Sequence, residues 1–258
     1  MGGSFINLVK REFFVSKKGF ISGAISLFGI ILSFVLILLS AYYGNIRMFF
    51  DSLAVTIDLE WDTFLFYIVL GVKYVPLLYL GFLTSNASQS AISDDKKLWT
   101  YFRRSTPVPA WKFSLANVVM YAVTAVLGTA IGVAYLAIIS EITGTGLLTQ
   151  DIAVLLVFIA VGLFLALIFQ TMIKLFHSVD KAGIALVITV FAILIPFKVI
   201  QTLVDPKGAQ QSAENGFDFQ GILDFVTNTL LPFLPLIIAS ILGLMFIANY
   251  FLLKRREK

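Results

Sequence analysis

The 258 residues are 59% hydrophobic and 13% charged, with 25 Phe, whereas an average soluble domain is roughly one-quarter charged. One core of this length cannot bury so much apolar surface, so composition excludes an ordinary soluble protein and makes the bilayer the second solvent. The net charge of +4 is no nucleic-acid signal, because membrane proteins collect Lys and Arg in the loops of one side. Zero cysteines exclude disulfide and thiolate chemistry, and one histidine leaves almost nothing for imidazole catalysis.

The chain opens with residues 1–19, read as an interfacial helix. From Ser4 to Lys18, the residues Phe5, Leu8, Val9, Glu12 and Phe13 fall at helical spacing, with Lys10, Arg11, Lys17 and Lys18 elsewhere. That pattern suits an anionic leaflet, the alternative being a frayed lead-in to the first span. Six segments then reach the ~20 apolar residues that a spanning helix needs: Phe20–Tyr43, Thr63–Thr84, Phe113–Ile139, Ile152–Ile173, Ala182–Ile200 and Leu230–Leu253. The first is too long for a signal-peptide core and lacks a cleavage pattern, so it is expected to remain as a helix. The longest loop, Gln201–Thr229, cannot hold a separate soluble domain.

Lys and Arg placement gives the orientation. Lys10, Arg11, Lys17, Lys18, Lys96, Lys97, Arg103, Arg104, Lys112, Lys174, Lys181, Lys254, Arg255, Arg256 and Lys258 fall on one side. The other has only Arg47 and Lys207, set against ten carboxylates that include Glu60, Asp62, Glu141, Asp151 and Asp224. Both termini are expected in the cytoplasm.

Within the second span, Lys73 stands alone, ~15 Å in from Thr63 at 1.5 Å per residue. A base at that depth is a functional hypothesis by default. Lys73 either lines a translocation pathway, where Pro76 permits a kink and the ammonium meets anionic cargo, or snorkels toward Glu60 or Asp62. Gly128 and Gly132 form a GxxxG in the third span, which reads as close packing within the subunit. Residues 217–231, with apolar positions Phe219, Ile222, Phe225, Val226 and Leu230 before Pro232 and Pro235, read as a short outer or re-entrant helix.

The loop between the second and third spans has its own pattern. Ser93 offers a cap, Asp94 and Asp95 suit a helix N-terminus, Lys96, Lys97, Arg103 and Arg104 come later, and Pro107 ends the run. A short helix over Asp94–Arg104 would expose Leu98, Trp99, Tyr101 and Phe102 on a charged loop. Such a surface either faces headgroups or docks a protein.

No GxxxxGK[ST] loop is present to hold nucleotide phosphates. His177 falls in a short loop beside Lys174 and Asp180, which disfavours intramembrane serine proteolysis. None of the carboxylates falls inside an assigned span, which disfavours aspartyl proteolysis and a proton relay.

Residues Asp94–Val118, DDKKLWTYFRRSTPVPAWKFSLANV, together with Leu8–Phe14, LVKREFF, resemble permease subunits of type-two ABC exporters, nearest in look to the membrane subunits of phenol-soluble modulin exporters. The match is to an acidic-Lys helix with an aromatic, a proline turn and a basic entry into the third span. Two departures stand in the turn: Thr106-Pro107 replaces the usual Leu-Pro, and Pro109 the usual Ser.

The resemblance implies an all-α polytopic protein of six transmembrane helices, as a homodimer or a heterodimer with a homologous permease in the plasma membrane. Its coupling helix, 93–105, would present Asp94, Asp95, Lys96, Lys97, Trp99, Tyr101, Phe102, Arg103 and Arg104 to a cytoplasmic ATP-binding subunit. The chain itself would hold no cofactor, ATP and Mg being bound by that partner. Membrane lipids surround it, amphipathic peptides or similar compounds are the cargo, and no nucleic acid is involved. The competing class is a solute-binding or channel-like membrane component without an exporter role, which predicts polar residues converging within several spans.

Overall fold

The computed structural model describes residues 5–44, 48, 61–85, 108–176, 178–189 and 224–257. These residues are all helical apart from short connections. The helices are α1 (Phe5–Tyr42), α2 (Trp61–Ser85), α3 (Ala110–Thr143), α4 (Thr149–Phe176), α5 (179–189) and α6 (Leu234–Glu257). Among the described residues, five helical segments are long and apolar enough to cross a membrane: Phe5–Ala41, Thr63–Thr84, Ala110–Thr143, Thr149–Phe176 and Val226–Lys254. The chain is therefore a polytopic membrane protein, helical throughout its described residues apart from those connections. Large apolar side chains such as Ile25, Phe28, Val126, Leu236 and Phe251 face outward, as surfaces in lipid do.

Cross-helix contacts fix the relative directions. Ser16 of α1 meets Met120 of α3, and Leu8 packs with Ala110 and Phe113, so α1 and α3 run the same way. Asn117 bonds Gln170 while Gly132 faces Leu155, so α4 runs opposite to α3. Lys73 bonds Asp151 and Gly81 meets Gly162, so α2 runs with α4. Asn249 bonds Asn117 and Leu253 packs on Phe113, which makes α6 a third member of that set. The chain leaves α4 at Phe176 and returns at Asp224, which bonds Gln150 at the opposite end of α4. Residues between them thus join opposite ends of the bundle. The core is Leu38, Val72, Leu77, Met120, Leu136, Leu155, Ile159, Leu163 and Met245, with α3 and α4 at its centre.

Local sequence explains the ends. Gly144 takes a left-handed φ of 69° after α3, its N–H bonds Glu141 O and that of Thr145 bonds Ser140 O, the paired Schellman closure. Asp151, in the first turn of α4, reaches back to accept from the Leu148 N–H at 3.2 Å. That bond is one half of a capping box and places a carboxylate at the positive end of the helix dipole.

Several boundaries differ from the sequence expectation. The interfacial helix and the first span form one uninterrupted α1 of 38 residues. No Pro interrupts it, and its first turns gain protein neighbours: Leu8 at α3 and α6, with Glu12 and Ser16 both buried. The fourth span begins three residues earlier than expected and ends three later, which brings Asp151 and Lys174 into α4. The part of 217–231 that is described passes without a break through a π-helical turn, Val226–Leu230, and a 3-10 turn, Leu231–Phe233, into α6. Pro232 and Pro235 lack the N–H that would bond four residues back, so regular α-helical bonding fails there. The coupling-helix segment 93–105, His177 and the second half of the fifth span lie outside the described residues.

Candidate functional site

Two polar layers interrupt the apolar interior. The first begins with Pro76, inside α2. A proline has no N–H to give the carbonyl four residues back, here that of Val72. In lipid an orphaned carbonyl is expensive, so another group must supply the donor. Tyr135 of α3 does so: its hydroxyl donates to Val72 O, and Val72 is 0% exposed. The next two residues turn to α4. Lys73 Nζ donates to Asp151 Oδ2 at 3.2 Å and Tyr74 Oη to Asp151 Oδ1 at 2.7 Å. With the Leu148 N–H, the carboxylate thus has three donors.

Lys73 and Asp151 are 4% and 1% exposed. An unpaired charge at such a site would cost several kcal/mol, and the pair together with its added hydrogen bonds is what makes burial tolerable. Farther along the same helix pair, the backbones of α2 and α4 touch. A Cβ added to Gly162 would run into the Gly81 carbonyl, and one added to Gly81 into that of Phe158. Residues 72–81 of α2 are therefore clamped to α3 and α4 by a phenol, an ion pair and a glycine contact.

The second layer lies near the Ala110 end of α3. Gln170 Nε2 donates to Asn117 Oδ1 at 2.9 Å, Asn249 Nδ2 to the same oxygen at 3.0 Å and to Gln170 Oε1 at 3.2 Å. Lys174 Nζ donates to Asn249 Oδ1. Three helices are thereby joined by three buried carboxamides and an ammonium. Each carboxamide offers both donor and acceptor, so they can satisfy one another without an ion. Among the described residues no group of three His, Asp or Glu is arranged to hold a metal.

Of the residues singled out from sequence, Lys73 is described, and among the described residues its ion-pair partner is Asp151. Asp94, Asp95, Lys96, Lys97, Trp99, Tyr101, Phe102, Arg103 and Arg104 lie outside the described residues. The reading that no carboxylate enters a span fails at Asp151, which is buried within α4. Sequence reasoning passed over Tyr74, Tyr135, Asn117, Gln170 and Asn249. Their signals were present: Pro76 announces a free carbonyl at 72, and Gln170 ends the polar-free run Ile152–Phe169.

No protein-family model, curated protein or solved structure matches this chain.

Proposed function

We propose that this chain is the membrane-spanning permease subunit of an ATP-driven exporter for amphipathic peptides or similar compounds. The observation that carries the reading is a chain with five described helices long and apolar enough to span a membrane, with no phosphate-binding loop in its sequence and with one charged, aromatic-rich loop at 93–105. A sixth crossing is supported by the joining of opposite bundle ends between Phe176 and Asp224. The excess of Lys and Arg at the end shared by Leu8, Ala110 and Leu253 argues for cytoplasmic termini in a plasma membrane.

In this reading 93–105 is a coupling helix. Trp99 and Tyr101 anchor it on a separate ATPase that binds ATP and Mg, and charges from Asp94 to Arg104 set its register. Two permeases, identical or homologous, enclose the pathway. Lys73 belongs to it through Asp151: the pair locks α2 to α4 in one conformation, and anionic cargo competes for the ammonium when the lock opens. The test is Trp99→Ala with Tyr101→Ala, assayed in vesicles. ATP hydrolysis continuing while export stops supports coupling through this loop, and unchanged export refutes it.

The polar layers favour a second reading, a solute-binding or channel-like component without an exporter role. That class requires polar groups converging from several spans; Asn117, Gln170 and Asn249 converge from three helices in one layer, and Lys73, Tyr74 and Asp151 from two in the other. Transport independent of ATP would select it.

A further inference from the structure

Hydroxyls in these helices ordinarily bond their own backbone. Ser33, Thr84, Thr124, Thr129, Thr143 and Thr189 each donate to a carbonyl three or four residues earlier. Ser114 departs from the rule, and Tyr121, unlike the phenols of Tyr74 and Tyr135, bonds no group on a neighbouring described helix. Their oxygens are buried, the residues being 1% and 0% exposed, and neither has a hydrogen-bond partner among the described residues. Both lie within four residues of Asn117. Steps of three and four put Ser114, Asn117 and Tyr121 on one stripe of α3, and the bonds of Asn117 show that this stripe meets α4 and α6. On the adjoining side Ser16 of α1 touches Met120 at 3.5 Å, so Glu12, one turn earlier and 4% exposed, faces α3 at about the depth of the amides. Buried polar groups from four helices thus share one level of the bundle.

Two unpartnered hydroxyls beside three carboxamides are hard to reconcile with a dry, lipid-like interior. A hydroxyl surrounded only by apolar atoms forfeits its bonds to water, and the usual filler of such a site is ordered water bridging two to four polar groups. The third unpartnered hydroxyl, Ser140, sits near the other end of α3, outside this cluster.

We infer that Ser114, Asn117, Tyr121, Gln170, Asn249 and Glu12 bound a hydrated polar compartment at the Ala110 end of the bundle. It admits water and uncharged hydrogen-bonding groups such as alcohols and amides. Ions fit less well, because Glu12 is already paired with Arg11 at 2.6 Å and Lys174 already bonds Asn249. The inference does not depend on the exporter reading.

The absence of native cysteine gives a clean test. Single variants Ser114→Cys, Leu136→Cys and Trp111→Cys, in proteoliposomes, are exposed to an uncharged, sugar-bearing methanethiosulfonate that does not cross the bilayer, added to each side in turn. Leu136 is 0% exposed in the apolar core and Trp111 is 45% exposed at the start of α3. Ser114→Cys reacting from either side, at a rate nearer that of Trp111→Cys than of Leu136→Cys, supports the compartment. Silence from both sides overturns it. Should Ser114→Cys fail to assemble, hydroxyl-radical labelling of the unaltered chain decides. Oxidation of Tyr121 well above that of Tyr135 supports hydration, and equal protection of the two overturns it. The side from which the thiol reacts reports on the proposed orientation, separately from whether the compartment exists.

Discussion

Tyr135 donates its hydroxyl to the backbone carbonyl of Val72, the one carbonyl in α2 that Pro76 leaves without its helical donor. A side chain on one helix thus completes the backbone bonding of another, and the proline becomes a point of attachment between α2 and α3. This relationship makes the two residues energetically dependent. Tyr135→Phe is expected to destabilise the protein in detergent by about 1–3 kcal/mol, the cost of an unpaired buried acceptor. In a Pro76→Ala background, where the N–H returns, the same change should cost a small fraction of that. A double-mutant cycle on unfolding measures the difference, and equal costs in both backgrounds would refute the coupling.

The ion pair predicts a smaller loss for the double variant than for either single one. Lys73→Met leaves the Asp151 carboxylate buried with only Tyr74 and the Leu148 N–H, and Asp151→Asn leaves the Lys73 ammonium without its counter-charge. Each is expected to cost about 3–5 kcal/mol. Lys73→Met combined with Asp151→Asn removes both charges and should recover most of the loss. Yield of folded protein after thermal challenge reads this directly, and a double variant as unstable as the sum of the singles would count against the pairing.

Glycines separate into two kinds. A Cβ at Gly81 or Gly162 meets the partner helix's backbone, which cannot move without parting α2 from α4. Gly81→Ala and Gly162→Ala should each cost about 1–3 kcal/mol or more. A Cβ at Gly128 would find Thr84 Cγ2 at 3.6 Å and Ile159 Cδ1 at 3.9 Å, ordinary contacts. Gly128→Ala is therefore expected to be neutral or to stabilise by up to about 1 kcal/mol, as removing a helical glycine usually does. Melting temperatures of the three variants, ranked in that order, provide the check.

Spans with long uninterrupted apolar runs were legible in the sequence, because lipid demands such runs. Thr63–Thr84 coincides with the apolar segment of α2, and the third, fourth and sixth spans are recovered with wider ends. The ends were harder. A capped polar residue such as Asp151 reads as loop until its partners are known, since the ammonium that neutralises it and the phenol beside that ammonium, Lys73 and Tyr74, lie 78 and 77 residues earlier in the chain. The GxxxG at Gly128 and Gly132 points to contact within the chain, with Leu155 and Leu80 close to Gly132. The tighter contact, however, joins Gly81 to Gly162, two glycines in different spans with no shared motif. Likewise Asn117, Gln170 and Asn249 are single polar residues in apolar runs. Nothing local says that they meet; only the helix directions and register bring them to one depth.

The central claim is that this chain serves an ATP-driven exporter powered by a second subunit, and purification from its native membrane tests it most directly. The account predicts that a protein bearing GxxxxGK[ST] co-purifies in stoichiometric amount, that Trp99→Ala with Tyr101→Ala weakens the association, and that reconstituted vesicles move amphipathic peptides only with ATP and Mg. Purification of the chain without such a partner, together with transport that proceeds in the absence of ATP, would contradict it.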